Sequence, residues 1–135
     1  MKNHGLILLA IFIGGALGTI FRFLINTEVS SILFPLGTVI ENLGGSLLLG
    51  LLTGYILNKE FSPILKEGIG VGFCGGFTTM STLAADTIFL FGQASSPSIV
   101  IYLVSSLFGG ILLAVIGMAM STAFVHRKKR ADEIQ

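Results

Sequence analysis

Residues 68–83 read Gly68-Ile-Gly-Val-Gly-Phe-Cys-Gly-Gly-Phe-Thr-Thr-Met-Ser-Thr-Leu83, an apolar stretch in which five glycines precede four hydroxyl residues. An ordinary lipid-facing helix does not have this composition, because the Gly75-Gly76 pair weakens a helix. A break at bilayer depth is tolerated only where the freed carbonyl groups find protein, water or an ion. The stretch therefore predicts a broken helix. Two interpretations of this break are open. Either neighbouring helices satisfy the polar groups freed at a kink, or unwound carbonyl groups bind a cation, as in broken-helix transporters.

The whole chain is as apolar as this stretch. Of its 135 residues, 53% are hydrophobic and only 11% are charged, whereas a soluble domain carries about 25% charged residues. So few charges do not cover a water-facing surface, which excludes soluble enzymes, nucleic-acid binders and disordered tails. The single cysteine, Cys74, excludes a disulfide framework or a cysteine metal cluster. Since no nucleophile with a neighbouring base is visible, we expect no enzyme.

Four apolar segments, each near or above the ~20 residues that cross a bilayer as a helix, follow one another along the chain. They cover residues 5–25, 37–57, 68–91 and 98–125, and the three prolines fall between them. The pattern predicts an all-α membrane protein made of one four-helix transmembrane domain over residues 1–135, with a basic tail at 126–135. Three glycine pairs at four-residue spacing predict close contacts between helix backbones: Gly14 and Gly18, Gly50 and Gly54, and Gly72 and Gly76.

Lysine and arginine residues give the expected orientation, because cytoplasmic flanks collect them. With four spans, the two termini and the second loop share one side. Seven of the eight basic residues fall there, and only Arg22 is near the other side: Lys2, Lys59, Lys66, Arg127, Lys128, Lys129 and Arg130. We therefore predict a multi-pass protein of the cell membrane with both termini cytoplasmic.

Polar residues inside the segments are the candidates for function. Asn42 lies about a turn and a half inside the second segment, where an unsatisfied amide is expensive. Arg22 either raises the anion concentration at a pore mouth or extends to lipid phosphates. Ser105 and Ser106 offer hydroxyl donors on the fourth segment or bond back to the preceding helical turn.

The acidic residues Glu41 and Asp86 are candidate proton or cation carriers, since a membrane carboxylate suggests function. Neither is deep in its segment by the boundaries above. We therefore expect an interfacial role for both, or a helix-packing contact for Asp86.

Taken together, these motifs resemble the CrcB/Fluc family of small fluoride channels along nearly the whole chain. The resemblance is carried by residues 14–22, by Gly37-Thr38 followed by Asn42 and Gly45-Ser46, by residues 72–82, and by Gly109-Gly110. It implies an antiparallel dimer with two pores and a central Na⁺ held by main-chain carbonyls of the third-helix break. By motif position, those carbonyls here belong to Gly75 and Thr78. Fluoride would pass an asparagine, here Asn42, and a pair of phenylalanines.

The chain departs from that family at the phenylalanines. Where the family motif has Thr-Thr-Phe-Ser-Thr-Phe, this sequence has Met80 and Leu83, which fill similar volume but lack the electropositive aromatic edge. The predicted anion path consists of Asn42, Met80, Ser81, Thr82, Leu83, Ser105, Ser106 and Arg22. Glu41, next to the predicted pore amide, is also unfavourable for an anion.

These departures, and the presence of seven of the eight lysine and arginine residues on one side, favour a chain that inserts into the membrane in a single orientation. We expect a heterodimer with a homologous subunit of opposite topology that supplies the phenylalanines, although a homodimer is also considered. The predicted function is a subunit of a passive fluoride export channel. The alternatives are a non-conducting structural or regulatory subunit and a small proton-coupled multidrug transporter. The last of these would carry a glutamate deep in the first segment, which this chain lacks.

Overall fold

A computed structural model describes residues 4–29, 34–93 and 96–132, and the regular secondary structure in these ranges is entirely helical. Lys2 and residues 133–135 of the predicted tail lie outside the described residues. The elements in chain order are α1 (His4–Val29), α2 (Leu36–Ile56), α3 (Pro63–Glu67), a π-helical stretch (Gly68–Cys74), α4 (Gly75–Phe77), α5 (Met80–Gln93) and α6 (Ser96–Asp132). The all-α prediction is confirmed.

Three of these helices are long and apolar enough to cross a membrane. They are α1, α2 and α6, with 26, 21 and 37 residues, and they coincide with the predicted segments 5–25, 37–57 and 98–125. The remaining predicted segment, 68–91, is an array of shorter helical pieces that runs from the π-helical stretch through α4 into α5. The predicted broken helix is therefore present in this segment.

The prolines mark helix starts. Pro35 directly precedes α2, Pro63 is the first residue of α3 and Pro97 is the second residue of α6. Proline is tolerated there because the amides of the first turn have no partner within the helix. At its other end α6 continues to Asp132, so residues 126–132 of the predicted tail are helical and exposed.

Glycine pairs bring α1 against the first half of the broken segment. A methyl group at Gly72 would lie 2.7 Å from the carbonyl oxygen of Ile11, and one at Gly76 would lie 2.5 Å from that of Gly15. Methyl groups at Gly14 and Gly18 on α1 would collide in turn with backbone atoms of the facing segment. Both faces need glycine, because the two backbones are in direct contact.

A second pair of helices, α2 and α6, packs in the same way. Methyl groups at Gly50 and Gly54 would collide with the backbone of Ala114 and Met118, respectively. All three glycine pairs therefore lie at helix–helix contacts, as their spacing predicts. The two helix pairs place the broken segment, α2 and α6 around one common region, which contains the candidate site.

Candidate functional site at the helix break

The helix break lies at Thr78, whose backbone is extended (φ −80°, ψ 156°) between α4 and α5. The Gly75-Gly76 pair is not itself unwound, since both residues belong to α4 and Gly75 has α-helical angles. Gly76 instead serves the close contact with Gly15 on α1. The glycine pair is a packing feature, and the chain leaves the helix three residues after Gly75.

Two backbone amides change partners at the break. The Thr79 amide donates to Asn42 Oδ1 at 2.8 Å, and the Thr82 amide donates to Thr79 Oγ1 at 3.1 Å. In a continuous α-helix these amides would bond to the carbonyls four residues earlier, those of Gly75 and Thr78. The break therefore deprives two carbonyls of their helical donors, and these are the two carbonyls that the resemblance implies as cation ligands.

The hydroxyl residues complete the helix ends on both sides of the break. Thr78 Oγ1 donates to the Cys74 carbonyl at 2.9 Å, which closes α4. Thr79 Oγ1 lies 2.9 Å from Thr82 Oγ1 and 3.3 Å from Ser81 Oγ at the start of α5. Thr79 thus acts as the N-terminal cap that satisfies a first-turn amide of α5.

Asn42 connects the break to α6. Its Nδ2 donates to the Thr79 carbonyl at 3.1 Å and to Ser106 Oγ at 2.9 Å, while its Oδ1 accepts from the Thr79 amide. The carboxamide therefore satisfies both main-chain polar groups of Thr79. The sequence correctly indicates that this amide needs partners inside the bundle, and both of its N–H donors are engaged.

A cavity of about 410 Å³ opens between the break, α2 and α6. Six of the predicted site residues line it: Asn42, Gly75, Thr78, Met80, Leu83 and Ser106. The side chain of Met80 is 67% exposed, whereas Leu83 is 1% exposed and belongs to an apolar cluster with Tyr102. Leu83 thus fills the core at the cavity wall, and Met80 presents an open face.

The other four predicted residues do not line this cavity. Ser105 Oγ donates to the Tyr102 carbonyl at 3.0 Å, which is the bond to the preceding helical turn, whereas Ser106 Oγ accepts from Asn42 at the cavity wall. Ser81 and Thr82 take part in the hydroxyl contacts at the start of α5. Arg22 is half-buried on α1. The assignment of these residues to the anion path stays a prediction.

A polar cluster around the half-buried Asp86 joins the same elements nearer the N-terminal end of α2. Asp86 Oδ2 accepts hydrogen bonds of 2.7 Å from Thr38 Oγ1 and from the Tyr102 hydroxyl. The helix-packing contact expected for Asp86 is confirmed. Sequence reasoning assigned no role to Thr38 or Tyr102, although a tyrosine inside a segment of 28 otherwise largely apolar positions, 98–125, is a usable signal for a buried donor.

The side chain of Glu41 is 0% exposed, so protein encloses it, and the interfacial role expected for it stays a prediction. Glu41 Oε1 accepts a 2.7 Å hydrogen bond from Asn26 Nδ2, so the carboxyl lies between α1 and α2. The first segment predicted from the sequence ends at residue 25, whereas α1 continues to Val29. The additional turn carries Asn26 and covers Glu41.

Described residues whose regular secondary structure is entirely helical, with three long apolar helices, a broken fourth segment and a cavity at the break, define a class of small polytopic membrane proteins. Comparison with known proteins narrows this class: the family described as "CrcB-like protein, Camphor Resistance (CrcB)" matches residues 9–118. The chain belongs to this family.

Three relatives illustrate how close the similarity is. The chain is 50% identical over 123 residues to fluoride-specific ion channel FluC 2 of Halalkalibacterium halodurans, covering 91% of each chain. It is 45% identical over 126 residues to FluC 2 of Bacillus subtilis, covering 92% of this chain and 95% of the relative. It is 41% identical over 112 residues to FluC 1 of Staphylococcus aureus strain NCTC 8325, covering 82% and 92%. The family resemblance is therefore confirmed, and the family is one of ion channels rather than enzymes.

Proposed function

We propose that the chain is a subunit of a fluoride channel that lets F⁻ leave the cell passively, driven by the membrane potential and the fluoride gradient. The observation that carries this proposal is the hydrogen bond from Asn42 Nδ2 to Ser106 Oγ in the cavity wall. Because Ser106 Oγ accepts this bond, its own hydroxyl proton is available to donate to another group. A donor held in place by a neutral amide suits a small anion.

Fluoride is small and strongly hydrated, so a selective path must replace its water with donors. The cavity offers the Ser106 hydroxyl and the Asn42 amide, and Asn42 is held in turn by Thr79. Both Asn42 N–H groups already donate hydrogen bonds, so the passing ion would contact the Ser106 hydroxyl. The Asn42 amide would act on the ion only through its hydrogen bond to Ser106. We therefore expect Ser106→Ala to reduce fluoride flux while Ser105→Ala, whose hydroxyl bonds its own helix, leaves the flux unchanged.

A sodium ion at the break is part of the proposal. The carbonyls of Gly75 and Thr78 have lost their helical donors, both residues line the cavity, and a side-chain carbon at Gly75 would meet nothing within 4 Å. Oxygen donors of this kind suit a hard cation. A bound Na⁺ would supply a fixed positive charge that offsets the cost of an anion in a low-dielectric region. Replacing Na⁺ by a bulky organic cation should abolish the flux.

Two carbonyls from one chain do not enclose a cation, which supports a second subunit at this face. We propose a homologous partner of opposite topology, so that the two subunits form an antiparallel dimer. The one-sided distribution of lysine and arginine supports this arrangement, because that bias fixes a single orientation with both termini in the cytoplasm. Met80, exposed at the cavity, would then face the partner and its phenylalanines.

A second candidate is a non-conducting subunit whose partner forms the pore. The observation that favours it is Met80 together with Leu83, since neither residue gives the cavity an aromatic edge and Leu83 is committed to the core. Asn42 and Ser106 favour conduction, because together they bring an amide and a hydroxyl group to the wall of the cavity.

Fluoride efflux from liposomes separates these candidates. The purified chain alone is compared with the chain reconstituted together with an opposite-topology homologue, and Asn42→Ser and Ser106→Ala are made in this chain only. Conduction through this subunit predicts efflux with the homologue and a loss in both variants. Efflux that both variants leave unchanged would support the non-conducting role. Efflux from the chain alone would contradict the heterodimer.

A further inference from the structure

Glu41 is a buried carboxyl group whose two oxygens have different surroundings. The side chain is 0% exposed already within the single chain. Oε1 accepts the hydrogen bond from Asn26, whereas Oε2 has no hydrogen-bond partner among the described residues. Leaving an ionised oxygen without a partner in a protein interior is expensive. The geometry therefore indicates that the negative charge on Oε2 must be reduced.

The groups that face Glu41 within the described ranges do not remove that charge. They are Arg22 from α1, Asp86 from α5 and Tyr102 from α6. Arg22 is the only cation of the three. The Tyr102 hydroxyl is committed to Asp86. Near the N-terminal end of α2, the buried Glu41 is therefore accompanied by one cation and by a second acid, the half-buried Asp86.

We propose that Glu41 is a proton-binding site beside the anion path, and that its occupancy sets the charge that fluoride meets near Asn42. The carboxylate takes one proton from water on Oε2 and releases it to water again, with no other change in bonding. The inference rests on the proposed fluoride conduction. With the proton bound, the region next to Asn42 carries one negative charge less, and the anion passes more readily.

The sign and size of the effect follow from the charge. Glu41 directly precedes Asn42, although its side chain points to α1 rather than into the cavity. One elementary charge at about 10 Å in a medium of effective dielectric about 20 changes the local concentration of a monovalent ion by about tenfold. Fluoride flux should therefore rise about tenfold when the pH is lowered from neutral to mildly acidic.

The test uses liposomes that contain the chain together with its conducting partner. Flux is measured at both pH values for the wild type, Glu41→Gln and Glu28→Gln, after subtraction of the leak from protein-free liposomes. Glutamine keeps the oxygen that accepts from Asn26 but cannot ionise, so Glu41→Gln should show the high flux at both pH values. Glu28 is an exposed acid near the same end of α1, and Glu28→Gln should behave as the wild type. A Glu41→Gln channel that retains the wild-type pH dependence would overturn the proposal.

A spectroscopic measurement separates this proposal from the proposed function. Infrared difference spectra of the wild type between the two pH values should contain the C=O band of a protonated carboxyl group, and the band should be missing in Glu41→Gln. If the wild type does not conduct but the band behaves in this way, conduction fails and the proton site stands. If the band is unchanged in Glu41→Gln, the proton site is wrong whatever the flux. As a control for misfolding, the thermal unfolding midpoint of Glu41→Gln in detergent should equal that of the wild type.

Discussion

Replacing Asn42 by serine should open the helix break and reduce fluoride flux. The change removes three hydrogen bonds of 2.8, 2.9 and 3.1 Å, two of them to the main chain of Thr79. A serine hydroxyl is too short to reach both Thr79 and Ser106. Hydrogen bonds between helices in membranes contribute about 0.6 kcal/mol each on average, and a buried amide left without a partner costs about 1–3 kcal/mol.

The sum is a local loss of about 3–5 kcal/mol at the break. Since about 1.4 kcal/mol corresponds to a factor of ten in an equilibrium constant, we expect the conducting arrangement to lose at least about a hundredfold in population. The assay is fluoride efflux from liposomes followed with a fluoride electrode, with thermal unfolding in detergent measured on the same preparation. Asn42→Ser should lower both the flux and the unfolding midpoint.

Asn58 provides the matched control for this experiment. Its Nδ2 also connects α2 to α6, with bonds of 2.8 Å to the Gly54 carbonyl and 3.3 Å to Thr122 Oγ1, but it does not line the cavity. Asn58→Ser should lower stability by less than Asn42→Ser and leave the flux per folded channel unchanged. Equal flux in Asn42→Ser and Asn58→Ser would refute the link between the break and conduction.

Three further outcomes are expected. Met80→Phe should raise the flux with little change in thermal stability, because this side chain is 67% exposed. Adding Leu83→Phe should lower the free energy of unfolding by about 1–3 kcal/mol through overpacking, since Leu83 is 1% exposed. A double variant as stable as the wild type would contradict the packing. Gly14→Ala should lower the thermal midpoint because its methyl group meets the facing backbone, while Gly15→Ala, whose methyl group would lie 3.8 Å from the nearest atom, should not. A reporter fused to the C-terminus should read cytoplasmic only, and a mixed readout would contradict the single orientation.

The sequence was sufficient for the features that depend on local spacing. Apolar length predicts the helices, and four-residue glycine spacing predicts the contacts at Gly50 and Gly54, because both follow from helix geometry alone. Asn42 could be singled out because an amide inside an apolar segment must find partners. The partner at Ser106 is 64 positions away, and sequence spacing contains no information about that contact.

The sequence does not locate the break, because glycine has two uses in a membrane helix. Gly75-Gly76 is as consistent with unwinding as with close packing, and only the position of α1 opposite Gly76 decides for packing. The burial of Glu41 could not be predicted for a related reason. Its burial depends on one additional turn of α1, and helix ends are the part of a sequence prediction with the least physical constraint.

The residue type at position 42 is determined by its contacts with the main chain of Thr79 as much as by the proposed passage of fluoride. The site must accept from the Thr79 amide, donate to the Thr79 carbonyl and donate to Ser106 at the same time. An ionised aspartate has no donor, a serine is too short, and a glutamine places the same groups one carbon further out. Only a carboxamide at asparagine length meets all three requirements. The group that holds the broken helix together is therefore also the group that donates to Ser106 Oγ, so any change that releases the break must also disturb the contact proposed for the anion path.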